Sequence, residues 1–445
     1  MVHVRLKSLV RVTAAFLLGG YLLLLLFLNF SPLQSWLTRS VEEELEDILQ
    51  TEVVVEDLEI GLFNRVILRG VLINDLSDTP LLNAGLMSCK VEFLPLLKGE
   101  VSLRTVSVLD ADIKLCRHAI NQPANYEFLL KLLKKDDKDT PSSLNLRVNS
   151  VILRRCNVTY DVSYEDVSPG RFNKNHIKVS DITANISLKK LTPDSLNLRV
   201  RSLSFKEQSG IEVNSLTFRL SANKKQCLLE KIKLVTPHSS FSQNNILAKY
   251  DWDGSSSFSK SLILSGEVED LRFSTADFIP FFPPLKGKDR DFRLQGKFDI
   301  RSTYMSFQDL SLTDNKGQFI LKTNLNLLSG DSLLQAANSQ YSRLYVSEGF
   351  LADVADCLPK TNISSYLTRL GSVNLYGQFQ YDIQGRSFVK ATLESGAGNV
   401  AANLSHQNKK LAGTIQTTGL RTAILAGKEK MPDDFDLMAS LDMTL

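Results

Sequence analysis

The residues of this chain that could do chemistry are few and scattered. One stretch, Gly330, Asp331, Ser332 and Leu333, spells the nucleophile block of certain lipolytic enzymes. A serine nucleophile needs a histidine to take its proton, a carboxylate to orient that histidine, and donors for the oxyanion. The five histidines, His3, His118, His176, His238 and His406, sit in no block that supplies such a base. Ser332 therefore reads as part of a turn after the leucine-rich residues 325–328. Cys89, Cys116, Cys156, Cys227 and Cys357 are odd in number and widely spaced, with no C-x-x-C pair. That spacing excludes a dense disulfide framework and a zinc ribbon. It leaves buried thiols acting as small hydrophobes, or one bridge. There is no H-E-x-x-H, P-loop, G-x-G-x-x-G or metal-spaced cluster, so no catalytic residue, metal or cofactor is expected. Asn157, Asn185, Asn362 and Asn403 open formal glycosylation triplets, which matter only in a host that modifies them.

With no concentrated chemistry, function must lie in what the elements build. At 445 residues and 43% hydrophobic, the chain can bury large cores. A net charge of +3, with both signs spread along the sequence, encodes no field for a polyanion, so no nucleic-acid partner is expected. Residues 12–28 form an apolar run that includes Val12, Phe16, Leu17, Leu22, Leu25, Phe27 and Leu28. A helix continuing through residue 33 is long enough for a ~30 Å hydrocarbon core. Arg5, Lys7 and Arg11 precede the run, and the first acidic residues, Glu42, Glu43 and Glu44, follow it. This charge order places the N-terminus in the cytoplasm and the rest of the chain across the membrane. A cleaved signal peptide shares these features, but no small-residue cleavage site follows the run, which favours an uncleaved single-pass anchor.

Residues 33–50 read as one amphipathic helix. Leu33, Trp36, Leu37, Val41, Leu45, Ile48 and Leu49 lie on one side, with Glu42, Glu43, Glu46 and Asp47 mostly on the other. From residue 51 the period changes to two. Leu144, Leu146, Val148, Ile152, Cys156, Val158, Tyr160 and Val162 take even positions, and polar residues take most of the odd ones. Such strands belong to an antiparallel-type sheet wet on one side. The hexamer SLNLRV occurs at 143–148 and again at 195–200, where Leu196, Leu198 and Val200 repeat the alternation. Residues 100–115 alternate through Val101 and Leu103 and change phase near Thr105, which predicts a bulge or short turn. Gly296 and Gly317, then Gly377 and Gly398, repeat a 21-residue step and suggest bulges or turns in a repeated sheet. Residues 125–135 predict a short helix, and the proline-rich residues 274–290 predict a boundary between β-rich parts at 51–273 and 291–445. The fold class expected is therefore mainly β, with an N-terminal transmembrane helix, a long antiparallel sheet and a few short helices.

A sheet apolar on one face must be covered. A second sheet can fill that face, or the face can curl into a trough holding a lipid-like ligand. Alternation alone favours the filled core.

Residues 36–115 carry a family resemblance. They run from the helix through VILRGVLIND to FLPLLKGEVSL and DADIKL, and TADFIPFFPPLKG at 275–287 belongs to the same pattern. This opening resembles the AsmA-like family, most of all its TamB branch. The resemblance covers the front quarter in detail and the rest only as architecture. It implies anchoring in the inner membrane of a Gram-negative cell, with a long curled β-groove, apolar inside, in the periplasm. It also implies that phospholipid acyl chains slide along the groove toward the outer membrane, and that an outer-membrane β-barrel is a partner. TamB-like chains usually run much longer, so an N-terminal portion is expected here. On this reading Val101, Leu103, Leu144, Leu146, Val148, Ile152, Val158, Leu196, Leu198 and Val200 line the groove. The competing expectation is a periplasmic scaffold for outer-membrane protein assembly, which binds its barrel partner through a strand edge and has a filled core.

Overall fold

The computed structural model describes residues 30–62, 64–92, 102–129, 147–192, 195–250, 261–329, 334–357, 367, 369–383, 385–407, 409–426 and 435–444, with 15–16, 18–23 and 26 of the N-terminal stretch. The chain is mainly β, and its strands build a large open sheet, not a closed barrel. It divides into two compact units, one of residues 1–189 and 198–214, the other of residues 190–197 and 215–445. Among the described residues no helix is long and apolar enough to cross a membrane. Phe16 and Leu22 are helical and exposed, whereas Val12, Leu17, Leu25, Phe27 and Leu28 lie outside the described residues.

In the first unit, α1 (Ser31–Leu49) realises the amphipathic pattern. Pro32 suits its first turn, where a missing N–H costs nothing. Gln50, in the left-handed region, ends the helix by bonding its N–H to the Glu46 carbonyl at 2.7 Å. Leu45 and Leu49 pack on a core of Val53, Val55, Val71, Ala84, Ala111 and Cys156. Two acids expected on the wet side have another task. Glu42 Oε1 accepts the Val55 N–H at 2.7 Å, and Glu46 Oε1 accepts the Val53 N–H at 3.2 Å. These donors belong to β1 (Val53–Gly61), whose one ladder partner among the described residues is β2 (Arg65–Asn74). The helix thus occupies edge donors that would otherwise invite another strand.

The ladder continues antiparallel through β3 (Pro80–Val91) and β4 (Ser102–Arg117). It then departs from the expected all-antiparallel order. β5 (Arg147–Val148) and β6 (Ser150–Val162) run parallel to β4, and β7 (His176–Thr192) returns antiparallel to β6. A parallel neighbour requires a crossover of a dozen or more residues, which residues 118–146 provide. Of the helix expected at 125–135, residues 127–129 are helical and 130–135 lie outside the described residues. Of the repeated hexamer, the first copy lies partly outside the described residues. Residues 147–148 of the first copy form short β5, 143–146 lie outside the described residues, and the second copy opens β8 (Ser195–Glu207), which pairs with β9 (Glu212–Val213).

The second unit is a meander in which each strand pairs antiparallel with the next. Its strands are β10 (Ser215–Asn223), β11 (Gln226–Val235), β12 (Ser240–Lys249), β13 (Ile263–Ser274), β14 (Asp291–Arg301), β15 (Tyr304–Asp314), β16 (Phe319–Ser329), β17 (Leu334–Val346), β18 (Val373–Asp382), β19 (Arg386–Ser395), β20 (Gly398–Gln407), β21 (Lys410–Leu420) and β22 (Phe435–Thr444). Helix α2 (Glu348–Cys357) follows β17, and α3 (Thr422–Ala426) follows β21. Residues 274–290 lie inside this unit. They form two 3-10 turns in a loop between β13 and β14, which pair directly through Phe273 and Phe292.

Each unit carries its own row of backbone irregularities. In the first, Gly70, Asp110, Arg155 and Asp181 have φ of 57°, 53°, 52° and 54° and lie near one level of β2, β4, β6 and β7, with Gly85 of β3 between the first two, and the register shifts at this level in the β6–β7 pairing. Arg155 is pinned there by a two-pronged ion pair to Asp110 at 2.5 and 2.7 Å. A separate register shift opposite Arg104 realises the phase change expected near Thr105. In the second unit, register shifts recur between β10 and β11 and at each pairing from β13–β14 to β17–β18. Each bulge bends its strand and increases its twist, so a row of them creases the sheet. The glycine repeat is only partly structural. Gly296 sits in a bulge at φ 143°, Gly317 and Gly398 lie at turns, and Gly377 lies in an unbulged strand close against the Lys390 carbonyl.

A Cβ on Gly296 would lie 2.9 Å from Leu310 Cα. Gly296→Ala is expected to cost about 1–3 kcal/mol in urea denaturation through left-handed strain and this backbone contact. An unchanged midpoint would show that the bulge relaxes freely.

Candidate functional site: an uncovered apolar sheet face

Residues directly opposite in an antiparallel ladder project from the same face, so the register converts separate strands into transverse rows. In the second unit one row runs through Leu216, Leu234, Phe241, Leu271, Leu294, Leu312, Leu321, Leu344, Leu375, Leu393, Val400, Thr417 and Leu437, one residue from each strand β10 to β22. A second row on this face contains Leu220, Leu229, Ile246, Gly266, Phe298, Phe307, Leu325, Ser339, Phe379, Val389, Leu404, Gly413 and Leu441. The rows are four residues apart on β10, β14, β16 and β18 to β22, but five apart on β11, β12, β13, β15 and β17. The extra residue is the bulge, which returns the later side chains to the apolar face.

The opposite face is polar. It carries ion pairs between Arg293 and Asp270 at 2.7 Å, Lys297 and Glu267 at 3.7 Å, and Arg301 and Asp299 at 2.8 Å.

An aromatic cluster closes one end of the apolar face. Phe350 of α2 stacks on Phe319 at 5.0 Å and meets Phe292 edge-on at 6.2 Å, while Phe273 stacks on Phe292 at 5.3 Å. Arg290 lies 4.5 Å over the Phe350 ring, pairs with Asp353 and donates to Gln318 Oε1 at 2.6 Å, fastening α2 to the loop after β13. Away from this end, the leucine row from Leu216 to Val400 is half-buried throughout and Leu437 is exposed. The fully buried hydrophobics described in this unit are Ile232, Phe292, Ala337, Val346, Leu351, Ala355 and Ala397. A filled sandwich would bury its long leucine rows as protein cores do. Here the row residues from Leu216 to Val400 stay half-buried.

The first unit repeats the plan with a smaller span. Val53, Ile73, Leu82, Ile113, Val158 and Val179 form one row, and Leu58, Leu68, Met87, Val108, Leu153 and Ala184 form another on the same side. Between them lies the buried core under α1. Of the residues expected to line a groove, Val158 lies in the first row, and Leu103 and Val148 pair on the same face. Ile152 requires correction. It is paired with Ser107 and Asn185 on the opposite face, because left-handed Arg155 inserts one residue and breaks the even-number rule. The inward set on β6 is Val151, Leu153, Cys156 and Val158. Leu196, Leu198 and Val200 alternate with Asn197, Arg199 and Arg201 along β8, Val200 buried and both leucines half-buried. Val101, Leu144 and Leu146 lie outside the described residues, as do residues 330–333 with Ser332.

The titratable groups serve as braces. Cys116 Sγ lies 3.3 Å from His118 Nε2, but burial, with Asp75 and Asp161 nearby, pushes the thiol pKa up and keeps it protonated. Cys89 and Cys227, each two residues along its strand from a row residue and on the same face, are also pushed up by burial, and all five cysteines are free thiols. His176 donates from Nδ1 to Asp161 at 2.7 Å and from Nε2 to the Glu165 carbonyl at 2.9 Å, which favours its charged form and raises its pKa. Asp75 is nearly inaccessible, and burial alone would raise its pKa. Hydrogen bonds from the Thr79 hydroxyl, the Thr79 and Ser77 N–H groups and Asn125 outweigh that effect and lower it. Among the described residues no group of three or more His, Cys, Asp or Glu side chains could hold a metal ion. No family model, curated protein or solved structure matches the chain.

The two braces predict opposite pH trends. A raised histidine stabilises fully below its unfolded pKa and loses that contribution as pH rises through its folded value. The stability gap between the wild type and His176→Gln should therefore be largest below about pH 6.5, the ordinary histidine value, and shrink as pH rises above it. A lowered carboxylate behaves in reverse, so the gap to Asp75→Ala should shrink as acid is added below about pH 5. Urea denaturation across pH checks both, and a flat gap in either series would remove that group as a titrating brace.

Proposed function

We propose that the protein is a non-enzymatic lipid conduit, anchored by residues 12–28 in the inner membrane of a Gram-negative cell, with its sheet in the periplasm. The observation that carries this reading is the half-buried, mostly leucine row that continues from Leu216 on β10 to Val400 on β20. Phospholipid chains cannot travel through water, because each methylene exposed costs about 0.8 kcal/mol. A face that repeats the same aliphatic surface at each rung of about 4.8 Å replaces water around the chain at every position along its path. Near-equivalent rungs create no deep trap, and the headgroup can remain at the open side. The resemblance of residues 36–115 to AsmA-like proteins supports this reading and the direction toward the outer membrane.

A second reading has its own observation. Met438 on β22 is 75% exposed, with exposed Leu437 and Phe435 beside it. Exposed apolar side chains along a strand suit contact with a protein partner, for example a β-barrel of the outer membrane. Partner binding and lipid conduction can be separated by mutation.

Leu375→Asp with Leu393→Asp places two carboxylates on the open face. Each should cost only about 1–2 kcal/mol, because the sites are half-exposed and water reaches them. Native mass spectrometry of the full chain, released gently from membranes, should show bound phospholipid in the wild type and none in the folded variant. A loss of several kcal/mol per site, with no lipid on the wild type, would indicate a filled core and favour the scaffold.

A further inference from the structure

The second unit presents an apolar surface that the groove does not use. In the loop between β13 and β14, Phe278, Phe281 and Phe282 are 45%, 46% and 45% exposed. The loop is ordered from beneath. The Asp277 carboxylate accepts from Thr236 Oγ1 at 2.5 Å and from Ser239 Oγ. Thr275 Oγ1 accepts the Arg290 N–H at 2.8 Å and donates to the Lys288 carbonyl at 3.1 Å. The N–H groups of Phe281 and Phe282 both bond to the Phe278 carbonyl, and Pro280, Pro283 and Pro284 restrict the backbone. Phe278 turns its ring edge-on to Phe273 at 5.8 Å, while Phe281 and Phe282 stay exposed on a preformed turn with exposed Lys286 following them.

Aromatic rings beside a lysine match the two layers of a bilayer interface, where rings enter the boundary of headgroups and acyl chains and the ammonium meets phosphate. We infer that this turn docks on a phospholipid bilayer surface, Phe281 and Phe282 entering the interface and Lys286 pairing with headgroup phosphate. This rests on the membrane setting proposed above but not on lipid occupying the groove. It gives the second unit its own membrane contact, separate from the N-terminal anchor.

The test uses the full chain in vesicles of phosphatidylethanolamine and phosphatidylglycerol containing acyl-chain nitroxide lipid. A fluorescent amino acid is placed at position 282, at 393 on the leucine row, or at 409 on an exposed hairpin turn. Quenching at 282 should exceed that at 409 by at least about twofold. It should fall with Phe281→Ser and Lys286→Ser, and disappear in detergent containing only a few quencher lipids per protein. Quenching at 282 no greater than at 409 would overturn the inference. Quenching at 282 that persists in detergent would also overturn it, since the turn would then be reading groove lipid. Position 393 reports groove occupancy by itself, so failure of docking and failure of the conduit give different patterns.

Discussion

Strand register is the constraint on which the rest depends. A slip of one residue sends every later side chain of a strand to the other face. On five strands of the second unit the chain inserts one residue between its two apolar rows, and the bulge absorbs it. The same device operates in the first unit at Gly70, Asp110 and Arg155. The bulges therefore keep the apolar rows continuous and bend the strands at one level. Curvature and continuity have one cause.

An open apolar face and open strand edges are both liabilities in water, and the chain treats them differently. It covers β1 with α1, using Glu42 and Glu46 to occupy edge donors and Leu45 and Leu49 to complete a core. It closes one end of the second unit's face with α2 and an aromatic cluster fastened by Arg290 and Asp353. The middle of the leucine row is left half-exposed.

Much of the fold was legible because its signals are local. The helix at 31–49 follows from period and flanking proline, and the strands follow from alternation. The parallel pairing of β4 with β6 was not legible, since alternation does not report strand direction. Ile152 was misplaced for a related reason. Arg155 is an ordinary strand residue by type, and the left-handed backbone it adopts beside Asp110, 45 residues away in sequence, has no local sequence signal. The leucine row of the second unit was missed as a site although each leucine is plain in the sequence. Their alignment exists only in the register, which bulges and turns of unequal length conceal. The proline-rich residues 274–290 have the composition of a boundary, yet their ends are joined by adjacent paired strands.

The most direct measurement is photocrosslinking in membranes, with a photoreactive amino acid at Leu344 in one sample and at its neighbour Arg343 in another. The two positions share a strand and project from opposite faces. The account predicts phospholipid adducts from position 344 and none from 343. Adducts of 344 confined to other parts of the chain, with no lipid at either position, would contradict it.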